Sequence, residues 1–215
     1  MDFSPISNYI ESFVRTEKGV PACEVEIRKG HEVLFRYRSG HSDADGTKPL
    51  TGNELYNLYS CSKPMTCAAA MQLVEQGKLG LEDSVSRYLP EFAEPYMLKD
   101  EQRIPATKAM TIRHLFTMTA GLDYNLRTQH ILSLIEENPH ATTREIVSRI
   151  ARAPISFEPG ERFQYSLCHD VLAAVVEVVS GERSTGESTK AMVAGSPAVA
   201  AWSGGKCDAS QARDQ

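Results

Sequence analysis

The sequence has little with which to hold nucleic acid or cross a membrane. It carries 23 Lys and Arg against 28 Asp and Glu in 215 residues, a formal net charge of −5, with no basic run. That balance supplies no attractive field for a polyanion, so neither nucleic acid nor an anionic membrane is an expected partner. No stretch reaches the roughly 18 apolar residues that a transmembrane helix needs. The opening Met1-Asp2-Phe3-Ser4-Pro5 lacks a basic start and an apolar run, so no signal peptide is read and a cytoplasmic location is expected. The five cysteines are odd in number, irregularly spaced and never at zinc-ligand spacing. They read as free thiols, with no disulfide framework, metal or other cofactor expected. There is no phosphate-cradling glycine loop and no internal repeat. After Leu172 there is no further Leu, Ile, Phe or Tyr.

What is present, 41% hydrophobic residues, excludes disorder of the whole chain. Ile6 to Val14 is amphipathic. Cys23 to Arg28 and Val33 to Tyr37 read as two strands joined by a turn at Lys29-Gly30-His31, a hairpin. Leu55 to Tyr59 reads as a short third strand. Lys63 to Gln76 favours helix, with Gly77 as its stop. Thr111 caps a helix carrying Ile112, Leu115 and Phe116, ended by Gly121. His114 and Met118 read as packing residues on it. Thr142 and Glu145 make a capping-box pattern before Ile146, Val147 and Ile150. Val171 to Val179 is an apolar helix stopped at Ser180-Gly181. From Arg183 roughly half the residues are Ala, Ser or Gly, a biased composition read as a loose tail over 183–215.

One tetrapeptide carries chemistry: Ser60-Cys61-Ser62-Lys63. A serine hydroxyl is protonated at neutral pH and needs a base nearby to attack a carbonyl. Helical residues three apart share a face, so a helix beginning at Ser60 brings the Lys63 amine to its hydroxyl. Pro64 suits a first turn, and its ring displaces the helix start by a residue. Ser-x-x-Lys alone arises often by chance, and taken by itself it is better explained by a helix cap beside a solvated lysine. Cys61 and Cys67 read as small helix residues. Cys168-His169-Asp170 are adjacent on a helix and point apart, so they do not converge on a metal. Ala201-Trp202-Ser203-Gly204-Gly205 lies in the biased tail and misses the nucleophile-elbow pattern.

The wider context is specific. Leu58 to Thr66 resembles the nucleophile segment of the serine β-lactamase and penicillin-binding-protein family, nearest its class C and esterase-like branch. Thr111 to Leu122 is similar to a second family segment, and Phe157 to Ser166 to a third, in the same order. The resemblance covers about residues 5–182. It implies an α+β fold, an antiparallel sheet flanked by helices with an all-helical lobe over roughly 63–164. It implies a serine hydrolase acting through an acyl-enzyme on an ester, a β-lactam or a D-alanyl-D-alanine peptide, with a small molecule as partner and no cofactor. By position Ser60 matches the nucleophile, Lys63 the lysine that shares its proton, and Tyr165 the tyrosine that serves as base or proton relay. Leu167 stands where the family has an asparagine that contacts substrate and lysine. The family's later Lys-Thr-Gly or His-x-Gly strand has no match downstream of Tyr165, which makes an inactive remnant or a non-catalytic binding module the rival reading. Without the family's last strands, uncovered sheet edges predict homo-oligomerisation or aggregation.

Overall fold

The computed structural model of the chain describes residues 1–14, 16, 19–56 and 58–181. The loose tail read over 183–215, with its Trp202 and Ser203, lies outside the described residues. The chain divides into two compact units, one of residues Met1–Leu58 and one beginning at Tyr59.

In the first unit, helix α1 (Ser4–Val14) is followed by strands β1 (Ala22–Lys29) and β2 (Glu32–Gly40). The strands pair antiparallel, with Val25 opposite Tyr37 and Ile27 opposite Phe35. The period-2 pattern separates two faces. On one, Phe35 stacks on Phe3 at 5.0 Å and on Tyr37 at 6.2 Å, and the Tyr37 hydroxyl donates to Glu11 at 2.6 Å. On the other, Arg38 pairs with Glu24 at 2.8 Å and Arg36 with Glu26. Gly30, at φ 58°, makes the turn as read.

Among the described residues of Leu55–Tyr59 the expected third strand is not formed. Leu55 and Tyr56 are exposed and unpaired in any ladder, and Tyr59 already opens a 3₁₀ turn. The reason is local. The Glu54 carboxylate accepts from the Thr51 and Gly52 N–H groups, so a tight turn ends immediately before this stretch. The described residues between that turn and the 3₁₀ turn find no ladder partner among the described residues.

The second unit holds nearly all the described core. Helix α2 (Lys63–Glu75) buries Ala69, Ala70 and Leu73, and packs on α6 (Cys168–Ser180), which buries Val171, Leu172, Ala174 and Val175. Ala69 and Ala70 of α2 and Ala174 of α6 are fully or almost fully buried. Between them come a hairpin of β3 (Tyr96–Lys99) and β4 (Gln102–Pro105), then α3 (Ile112–Phe116), α4 (Gln129–Glu137) and α5 (Thr143–Ile150). Ile112 and Leu115 of α3, and Val147 and Ile150 of α5, complete the core around α6. Thr142 and Glu145 form the capping box read from sequence. Gly77 and Gly181, at φ 67° and 75°, lie just past α2 and α6 as expected.

Four further features depart from the sequence reading. The helical lobe carries the small β3–β4 hairpin, whose turn residues Asp100 and Glu101 both have positive φ without being glycine. Helix α4 has no counterpart in the reading; Thr128 at its start makes no side-chain cap. Helix α3 stops at Phe116, well before Gly121. Met118, at φ 52°, turns the chain away, and Gly121 instead serves a close approach, since a Cβ there would lie 2.3 Å from the Phe157 carbonyl oxygen. His114 does more than pack. Its N–H donates to Thr111 Oγ1 while its Nδ1 accepts from the Thr111 N–H, which closes a cap on α3. No helix among the described residues is long and apolar enough to cross a membrane.

Candidate active site

The segment Tyr59–Ser62 is a 3₁₀ turn feeding α2, so Ser60 precedes the α-helix rather than starting it. Pro64 accounts for this: its ring disfavours helical geometry at the residue before it, while it fits the first turn itself. Tyr59 takes the left-handed φ of 44°, and its carbonyl accepts from the Ser62 hydroxyl at 2.6 Å. Ser60 is thereby held exposed at the N-terminal end of α2, where unpaired backbone N–H groups favour negative charge.

Tyr165 reaches the same point from a distant stretch. The Gly160 N–H donates to the Thr119 carbonyl at 2.8 Å, Gln164 to Met118 at 3.0 Å and Leu167 to Asp123 at 3.0 Å; Ser156 donates to Gly121 at 2.7 Å. This ladder pins the loop after α3 against residues 156–167. The second and third motif segments are therefore two sides of one backbone pairing.

The three side chains converge. Lys63 Nζ donates to Ser60 Oγ at 3.4 Å, and the Tyr165 hydroxyl donates to the same oxygen at 2.5 Å. Lys63 Nζ also lies 5.2 Å from the Tyr165 ring centroid. The Ser60 hydrogen bond, then the Lys63 hydrogen bond and charge, hold the Tyr165 hydroxyl below the ordinary phenol value, because each stabilises the phenolate. Asp170, near the start of α6, pulls weakly the other way. Its own carboxyl is pushed up by the desolvation of its surroundings, with the Lys63 charge opposing.

Leu167 does not join them. It is 2% exposed and packed in the core, where Asp123 holds its backbone N–H, so its side chain is not offered to a substrate. Cys168, His169 and Asp170 diverge. Cys168 Sγ accepts from Ser166, and His169 Nε2 faces Cys67 Sγ at 3.6 Å and the Phe116 carbonyl at 3.2 Å. Among the described residues no group of three His, Cys, Asp or Glu side chains could hold a metal ion. One residue at the site was missed from sequence. Tyr124 lies with its ring centroid 5.3 Å from that of Tyr165 and 5.5 Å from Lys63 Nζ. The only sequence signal is its place two residues after the second motif segment.

The Beta-lactamase family profile matches residues 7–196. The chain belongs to that family. The match reaches past residue 182, where the motif resemblance stops. Among curated relatives, esterase EstB of Burkholderia gladioli is 34% identical over 79% of the chain and 43% of its own length. Penicillin-binding protein 4* of Bacillus subtilis is 33% identical over 71% of the chain and 31% of its own. The chain thus spans less than half the length of either relative. Among solved structures, EstCE1, described as a hydrolase with promiscuous acyltransferase activity, aligns with a TM-score of 0.67 and 35% identity, over 83% of this chain and 46% of that one. The octameric penicillin-binding-protein homologue from Pyrococcus abyssi, 24% identical with a TM-score of 0.67 over 85% of this chain and 40% of that one, shows the shared fold. The α+β fold read from sequence is that of this family.

Proposed function

We propose that the chain carries the nucleophilic half of a serine hydrolase working through an acyl-enzyme on Ser60, with small carboxylic esters as the leading substrate class. The observation that carries this reading is the convergence of Lys63 Nζ and the Tyr165 hydroxyl on Ser60 Oγ. In the neutral form Tyr165 donates to Ser60. Once ionised it accepts instead, and takes the Ser60 proton as Oγ bonds to the substrate carbonyl carbon. Lys63 stabilises the phenolate during that transfer. The Ser60 N–H at the α2 terminus supports the oxyanion of the tetrahedral intermediate. Tyr165 then returns the proton to the leaving alcohol as the C–O bond breaks, and water releases the acyl group by the same relay.

The choice of ester over β-lactam or D-alanyl-D-alanine peptide rests on the names of two relatives near 35% identity, an esterase and a hydrolase with acyltransferase activity. Stopped-flow hydrolysis of p-nitrophenyl acetate tests it. An initial burst of nitrophenolate stoichiometric with the chain, absent from Ser60→Ala, supports the acyl-enzyme. Acylation by a penicillin with no ester burst would reverse the substrate choice.

We also propose self-association through the first unit. Among the described residues β1 and β2 pair only with each other, and an open edge is a template for another strand.

A further inference from the structure

Proton transfer as described leaves one aromatic residue at the site without work. Lys63 Nζ stands 5.5 Å from the Tyr124 ring centroid and 5.2 Å from that of Tyr165, and the two rings meet at 5.3 Å with an interplanar angle of 46°. The amine therefore faces two aromatic rings while it donates to Ser60 Oγ. A ring face attracts an ammonium at separations up to about 6 Å.

The chain on both sides of Tyr124 is anchored. The Asp123 carbonyl accepts from the Leu167 N–H at 3.0 Å, the Asp123 carboxylate from the Asn125 N–H at 3.1 Å, and the Asn125 side chain from the Arg127 N–H at 2.9 Å. The first bond ties Tyr124 to the segment that carries Tyr165. The polar contact to the lysine that the family resemblance assigns to an asparagine is missing, since Leu167 stands there with its side chain in the core.

We propose that Tyr124 is a positioning residue, forming with Tyr165 a two-ring cradle that holds the Lys63 ammonium against Ser60. The role rests on the acyl-enzyme reading of Ser60. The groups that bear on the amine are Ser60 in the 3₁₀ turn, Tyr124 in the loop after α3, Tyr165, and Asp170 on α6 by longer-range charge. Without the Tyr124 ring the amine has more freedom, and Tyr165 loses part of the charge that stabilises its phenolate.

The test compares Tyr124→Leu with Tyr124→Phe. Tyr124 is half-exposed, so both variants should keep the parent melting temperature within a few degrees. Two readouts are taken: the rate of Ser60 acylation by p-nitrophenyl acetate, and the titration of Tyr165, read as the ultraviolet phenolate difference between each protein and its Tyr165→Phe counterpart. Tyr124→Leu should slow acylation about two- to five-fold, the scale of one exposed cation–π contact. It should also move the Tyr165 titration to higher pH, while Tyr124→Phe, which keeps the ring face, matches the parent in both. Equal behaviour of Leu and parent overturns the cradle, and so does a Phe variant as impaired as Leu, because the hydroxyl would then be the working group. If the parent is not acylated, the acyl-enzyme reading fails separately. A titration shift in Leu alone would then still support the cradle, and no shift would overturn it.

Discussion

The two units of the chain bury apolar surface very differently. Of the described residues buried in the core, the unit Met1–Leu58 contributes Ile10 alone. Its strands β1 and β2 run half-buried or exposed along their whole length. A two-stranded sheet of this kind is marginal in water and needs further strands or a helix on its face. The unit from Tyr59 onward instead closes a core on α2, α3, α5 and α6, with Leu115, Leu172 and Val175 fully enclosed. It also holds every residue of the proposed site. The proposed constellation is therefore built entirely within the well-packed unit. The contrast gives a set of predictions, in falling order of effect.

The sharpest is functional. Tyr165→Phe should cut Ser60 acylation by about 10²- to 10⁴-fold, the usual loss for a general base, with little change in melting temperature because the side chain is exposed. Leu172→Ala, at the centre of α6, should destabilise the second unit by about 2–5 kcal/mol in urea unfolding. A loss no greater than that of a surface substitution would mean that the core is not where the structure puts it. Thr142→Ala removes one half of the α5 capping box and should cost about 1 kcal/mol by the same measurement. In the hairpin unit, Arg38→Ala breaks a partly exposed pair with Glu24 and should cost less than about 1 kcal/mol, with acylation unchanged. A strong effect of Arg38→Ala on acylation would break the separation between the units.

The pH dependence follows from Tyr165. Its hydroxyl is held below the ordinary phenol value, first by Ser60 and then by Lys63. A base that works as the phenolate gains activity as pH rises through that lowered value. The acidic limb of the acylation profile should therefore lie below about pH 10, the unperturbed phenol value. Replacing Lys63 with Met should move that limb upward. An unchanged limb would remove Lys63 from the proton path.

Much of this architecture is legible in the sequence because local chemistry and tertiary need agree. Gly30, Gly77 and Gly181 stand where the chain turns left-handed, and Thr142 with Glu145 announces α5. The Ser60, Lys63 and Tyr165 set is visible through three motif segments, two of which are held together by one backbone ladder. What escapes reading lacks a local signal. The β3–β4 turn uses Asp100 and Glu101 in a conformation that glycine or asparagine usually marks. Helix α4 starts without a capping hydrogen bond. At Leu55–Tyr56 an apolar, aromatic stretch looks like a strand, yet the Glu54 turn before it and the 3₁₀ turn after it leave no partner. Tyr124 becomes visible only when the fold sets its ring beside Tyr165 and Lys63.

Intact mass spectrometry after incubation with a fluorophosphonate shows whether Ser60 is the group acylated. One adduct per chain is expected on the parent protein, with none on Ser60→Ala. An unlabelled parent, or a label that persists in Ser60→Ala, would contradict it.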